Sequence, residues 1–217
     1  MCGIFGYVGQ KQVATILLDG LRTLEYRGYD SAGIYVVGQK PIKAVGPIVN
    51  LTAKVPADLV GTTGIAHTRW ATHGTPTIAN AHPHTGAGGS IAIVHNGIIE
   101  NFRELKEGLV AQGITFESET DTEVLAKLIG SLYTGNLQQA VQAALARVRG
   151  TYGLMAASED NPDQIVVARM GSPVVLGLSD EGNLIASDPS ALLSYTKDVV
   201  YLEDGDMAVV TGDSYKI

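Results

Sequence analysis

Cysteine is all but absent from this chain. Cys2 is the only one among 217 residues, so no internal disulfide can form and a reducing, cytoplasmic setting is expected. Positive charge is also scarce: Lys and Arg number 15 against 22 Asp and Glu, a net charge of −7. No basic stretch is available to neutralise phosphates, so neither nucleic acid nor an anionic membrane is an expected partner. No apolar run reaches the roughly 20 residues of a transmembrane helix, and no basic segment leads into a long apolar one as in a secretory signal. The phosphate-cradling patterns GxGxxG and GxxxxGK[ST] are missing. His67, His73, His82, His84 and His95 invite a metal reading, but they lack HExxH spacing and cysteine companions, so neither a metal nor a cofactor is expected.

The residues present describe an ordinary globular protein. Hydrophobic residues make up 45% and charged residues 17%, and 26 glycines are spread along the chain. This is enough for one substantial core in a single domain over residues 2–217. A short apolar strand is expected at residues 2–8, followed by a helix over 12–26 that carries Val13, Ile16, Leu17, Leu21 and Leu24 at helical spacing and ends at Gly28. Strands are expected at 33–37, 41–45, 64–68 and 90–95, with a long Gly-, Pro- and Thr-rich loop over 70–89; residues 46–60 are the least readable. Helices follow at 101–111, from 120 onward with Thr120 and Glu123 at capping-box spacing, and at 137–148. The remainder reads as short strands joined by hairpin turns, with a short helix near 189–194. Strands and helices in blocks predict largely antiparallel sheets covered by helices.

Cys2 directly follows the initiator methionine. Removal of Met1 leaves one residue bearing both a thiol and an α-amine, and an amine with pKa near ~7.7–8.0 can relay the thiol's proton at neutral pH. The competing role is that of a small buried residue. A thiol attacking an amide needs oxyanion donors, and Asn96-Gly97 at the end of an apolar strand can supply them, although Asn-Gly is equally a two-residue hairpin signal. Arg69 can clamp a carboxylate bidentately or serve a structural ion pair. Asp121 can bind an ammonium or simply favour a helix N-terminus. Arg27 either closes the first helix or supports the nucleophile from behind, and His73 can shape the loop over a substrate.

Several segments together carry a resemblance: Met1-Cys2-Gly3-Ile4, Leu24-Glu25-Tyr26-Arg27-Gly28-Tyr29-Asp30-Ser31-Ala32-Gly33, Ala66-His67-Thr68-Arg69-Trp70-Ala71-Thr72-His73-Gly74, His95-Asn96-Gly97-Ile98-Ile99-Glu100-Asn101 and Ser118-Glu119-Thr120-Asp121-Thr122-Glu123. The chain resembles class II glutamine amidotransferases, and within them the glutaminase domains of the glucosamine-6-phosphate synthases, over nearly its whole length. The resemblance implies an N-terminal-nucleophile hydrolase fold, an α+β four-layer αββα sandwich. It further implies that Cys2 attacks the side-chain amide of glutamine to form a thioester, that Asn96 and the Gly97 N–H form the oxyanion hole, and that Arg69 and Asp121 hold the α-carboxylate and α-ammonium. Trp70, Thr72 and His73 belong by the same implication to a loop closing over glutamine. The implied partner is a set of sugar-phosphate isomerase domains, for which these residues leave no room, so glutaminase activity without sugar amination is expected. Other readings are an amidophosphoribosyltransferase-type domain, a glutamine-binding module without catalysis, and an acylase of the same fold.

Overall fold

The computed structural model describes residues 2–71 and 74–217. The chain runs through β1 (Gly3–Gly9), α1 (Val13–Leu24), β2 (Ser31–Val36), β3 (Ile42–Val45), α2 (Ile48–Thr52), β4 (Thr63–Arg69), β5 (His84–Gly86) and β6 (Ile91–Ile99). It continues through α3 (Phe102–Val110), α4 (Asp121–Leu132), α5 (Leu137–Leu145), β7 (Gly150–Ser158), β8 (Asn161–Met170), β9 (Val175–Gly177), β10 (Gly182–Ala186), β11 (Val199–Tyr201), β12 (Met207–Thr211) and β13 (Tyr215–Lys216). The strands form a seven-stranded sheet ordered β11-β9-β10-β1-β4-β2-β3 and a six-stranded sheet ordered β13-β12-β8-β7-β6-β5. Pairing within both sheets is antiparallel.

The period-two alternation of each strand builds the layers. On β1, Ile4 and Val8 point between the sheets, where they meet Val94, Met155 and Val167, while Phe5 and Tyr7 point outward beneath α1. On β6, Ala92 and Val94 face the middle layer, and Ile91 and Ile93 pack beneath α4 with Leu125 and Ile129. Helices α1 and α2 cover one sheet and α3, α4 and α5 the other, which gives the expected αββα sandwich.

Several local expectations need correction. The helix expected over 12–26 ends at Leu24 and tightens into a 3-10 turn at Glu25–Arg27. Gly28 is extended rather than left-handed there. Its role is close approach, because a Cβ would lie 2.6 Å from the Arg69 carbonyl carbon. Residues 46–60 contain α2, and the long loop contains β5, which pairs His84 with Ile93. Asn96-Gly97 is not a hairpin: β6 runs through it, pairing Asn96 with Gly153 and Gly97 with Tyr152. Thr120 does cap α4, accepting from the Glu123 N–H at 3.2 Å. The capping box is not reciprocal, however, since the Glu123 carboxylate accepts from the Glu117 and Ser118 N–H groups instead.

Candidate active site

Antiparallel pairing of β1 with β4 brings the start of one strand to the end of the other, Gly3 opposite Thr68. Cys2 and Arg69-Trp70 are therefore neighbours. The Trp70 N–H points at Cys2 Sγ at 3.3 Å, and the thiol lies 3.6 Å from the Trp70 carbonyl oxygen. Trp70 thus meets the thiol through its backbone, while its half-exposed ring packs edge-on against Tyr29 at 5.4 Å. Burial pushes the Cys2 thiol above its ordinary pKa. The Trp70 N–H, the positive N-terminus and Arg69 pull it back, and Asp30 opposes them.

Asn96 reaches Cys2 from the facing sheet, its Nδ2 donating to the Cys2 carbonyl at 3.1 Å. Arg27 Nε donates to the same carbonyl at 3.2 Å, and its Nη1 donates to Asp188 at 2.9 Å. Burial would raise the Asp188 carboxyl, but hydrogen bonds from Ser190 and Tyr26, together with the Arg27 charge, hold it below the usual range. The first residues of β1 are further tied by the Ile4 N–H donating to Ser187 Oγ at 3.1 Å and the Ser187 N–H donating to the Ile4 carbonyl at 3.1 Å. The nucleophile candidate therefore sits on a rigid strand end.

Gly97, next to Asn96, has φ +132°, and a Cβ there would lie 2.1 Å from the Thr151 carbonyl oxygen. Only glycine fits this backbone without displacing β7. Arg69 is buried at the end of β4 and donates to the Gly74 carbonyl at 3.2 Å. Asp121 opens α4, where its Oδ2 accepts from the Ile99 N–H at 2.8 Å. Thr72 and His73 lie outside the described residues. Cys2, Trp70, Asn96 and Arg27 are thus brought into direct contact; Arg69, Gly97 and Asp121 are held on the adjoining strand and helix ends. Among the described residues no cluster of three or more His, Cys, Asp or Glu side chains is arranged to hold a metal.

Residues 67–194, more than half of the chain and inclusive of Arg69, Asn96, Gly97 and Asp121, match the model of the glutamine amidotransferase domain family. The chain belongs to that family. Two curated relatives are both named glutamine:fructose-6-phosphate aminotransferase (isomerizing). That of Chlorobaculum tepidum is 50% identical over 227 residues, covering 100% of this chain and 37% of the relative. That of Thermus thermophilus is 53% identical over 221 residues, covering 100% and 36%. The chain therefore spans little more than a third of the length of these relatives. Among solved structures, glutamine phosphoribosylpyrophosphate amidotransferase of B. subtilis superposes with a TM-score of 0.83 at 29% identity, over 99% of this chain and 49% of that one. A glutamine aminotransferase class-II domain protein from Silicibacter pomeroyi shares the fold, with a TM-score of 0.63 at 15% identity over 100% of this chain and 98% of that one.

Three further residues, none singled out as a candidate in the sequence, contact this site. Asp30 accepts from the Ala71 N–H and raises the thiol, Asp188 fixes Arg27, and Ser187 anchors β1. Their signal in the sequence was small polar residues at the ends of apolar strands. That pattern alone does not distinguish a surface residue from one folded onto the nucleophile.

Proposed function

We propose that this domain, with Cys2 as its first residue, hydrolyses the side-chain amide of glutamine to glutamate and ammonia. The observation that carries the reading is the convergence of the Cys2 thiol, the Trp70 N–H and the Asn96 amide at the ends of β1, β4 and β6. The Cys2 α-amine accepts the thiol proton, and sulfur bonds to the amide carbon. Collapse of the tetrahedral adduct expels nitrogen, which takes the proton from the amine and leaves as ammonia. Water then attacks the thioester, oxygen replaces sulfur on carbon, and the thiol regains a proton. Asn96 Nδ2 carries two hydrogens, one of which tethers Cys2; the other and the Gly97 N–H serve the oxyanion, each donor contributing about 10²–10³ in rate.

Arg69 receives the α-carboxylate and Asp121 the α-ammonium, while Trp70, Thr72 and His73 belong to the segment that closes over them. The ammonia passes to a sugar-phosphate isomerase unit that converts fructose 6-phosphate to glucosamine 6-phosphate. Support for this destination is the higher identity to relatives named for fructose 6-phosphate, 50–53%, than to the phosphoribosylpyrophosphate enzyme, 29%. The test compares glutamine with one amide lacking the α-amine and another lacking the α-carboxylate. Each omission is expected to lower kcat/KM at least tenfold, on the order of one buried charged hydrogen bond. Equal rates on all three would favour an acylase-like amidase, and binding without turnover a non-catalytic module.

A further inference from the structure

Four buried histidines take no part in that reaction, yet they surround the start of α4. Thr122 Oγ1 lies 2.8 Å from His82 Nε2 and 2.9 Å from His95 Nδ1. His95 Nε2 is 3.3 Å from the Thr151 carbonyl oxygen, and His67 Nε2 is 3.2 Å from the His95 carbonyl oxygen. His84 Nε2 lies 3.0 Å from Thr120 Oγ1, and the rings of His67 and His82 stack at 4.0 Å.

Elementary hydrogen-bond logic orients this network. A carbonyl only accepts, so Nε2 of His95 and of His67 must carry a hydrogen. Burial keeps the rings neutral, which leaves His95 Nδ1 as an acceptor, and the Thr122 hydroxyl is its donor. That hydroxyl has a single hydrogen, so His82 Nε2 must donate to the Thr122 oxygen. His82 Nδ1 is then a bare lone pair, with no hydrogen-bond partner among the described residues. The chain of donors runs one way: His82 to Thr122, Thr122 to His95, His95 to Thr151. Each hydroxyl and ring hydrogen in it is already used.

Its members adjoin the residues that read glutamine. Thr120 and Thr122 flank Asp121, His95 precedes Asn96 but lies on the opposite face of β6, and His67 stands two residues before Arg69 on β4. We propose that Thr122 and His95 are positioning residues, whose hydrogen bond locks the first turn of α4 to β6 and so holds Asp121 in register with Asn96. Through it the site fixes the distance between the group that binds the α-ammonium and the group that stabilises the oxyanion. This rests on the reading that Asp121 receives the α-ammonium.

The test is steady-state hydrolysis of glutamine and of 4-carbamoylbutanoate, which is glutamine without its α-amine, by the full chain and its variants. T122V is expected to raise KM for glutamine about tenfold, the effect of one buried hydrogen bond, with kcat changed less than about threefold. T122S, which keeps the hydroxyl, is expected to behave as the parent. T122A, which removes the hydroxyl without adding a methyl, is expected to match T122V and stands in should T122V not fold. Neither T122V nor T122A should alter KM for 4-carbamoylbutanoate, since that substrate presents nothing to Asp121. An equal loss on both substrates, or an unchanged KM for glutamine, overturns the proposal. D121N separates the underlying reading: if D121N leaves the preference for glutamine over 4-carbamoylbutanoate intact, the Asp121 assignment fails whatever Thr122 does.

Discussion

Mild acid should destabilise this fold through its buried histidines well before its carboxylates are protonated. His67 lies wholly between the sheets, and burial, the largest influence, lowers its pKa from 6.5 to about 3. A base with a depressed pKa in the folded state takes up its proton mainly on unfolding. Its contribution to stability is therefore complete above the unfolded value of 6.5 and is lost as pH falls from 6.5 toward 3. Between pH 7 and pH 5, linkage gives a loss of about 2 kcal/mol from His67 alone. His82 and His84, held well below their ordinary values, and His95, also lowered, act with the same sign. The groups facing the cluster, Arg69, Lys43 and Asp121, do not cancel it: the two cations depress the rings further, and Asp121 favours protonation only of His95. Urea unfolding at a series of pH values measures the effect, with H67Q as control because its amide can still donate to the His95 carbonyl. The parent is expected to lose about 2 kcal/mol more than H67Q over that interval. Identical slopes would mean that His67 takes up its proton in the folded protein as readily as in the unfolded chain, against its burial between the sheets.

Gly97→Ala should destabilise the protein by about 2 kcal/mol or more in denaturant unfolding, since a methyl at that φ meets the Thr151 carbonyl at 2.1 Å; a neutral result would show that β6 and β7 part easily. Asp188→Asn removes the anionic partner of Arg27 while leaving the thiol contacts untouched. A fall in kcat/KM of about tenfold with little change in Tm is expected, and an unchanged rate would deny Arg27 any part in holding Cys2.

How much of this was legible in the sequence differs from element to element. α1 and α4 announce themselves because Leu17, Leu21 and Leu24, and Leu125, Leu128 and Ile129, recur at helical spacing beneath a full sheet. β5 was hidden, since three residues following a proline become a strand only by pairing with β6. At Asn96-Gly97 the local turn preference yielded to nine residues of pairing with β7. The histidines look like metal ligands in one dimension. Only the folded proximity of Thr120 and Thr122 shows where their ring nitrogens are directed. Cys2, Arg69, Asn96, Gly97 and Asp121 were selected by residue chemistry and resemblance. Asp30, Ser187 and Asp188 escaped because their roles depend on chain ends that meet only in the sandwich.

In the proposed mechanism Cys2 is a nucleophile able to act once Met1 is gone. Intact-protein and peptide mass spectrometry after exposure to a glutamine-like electrophile reads both conditions in one sample. The expected product is a chain lacking Met1 with a single adduct on Cys2, formed more slowly when glutamine is in excess. An adduct on any other residue, or no adduct on a chain already free of Met1, would contradict it.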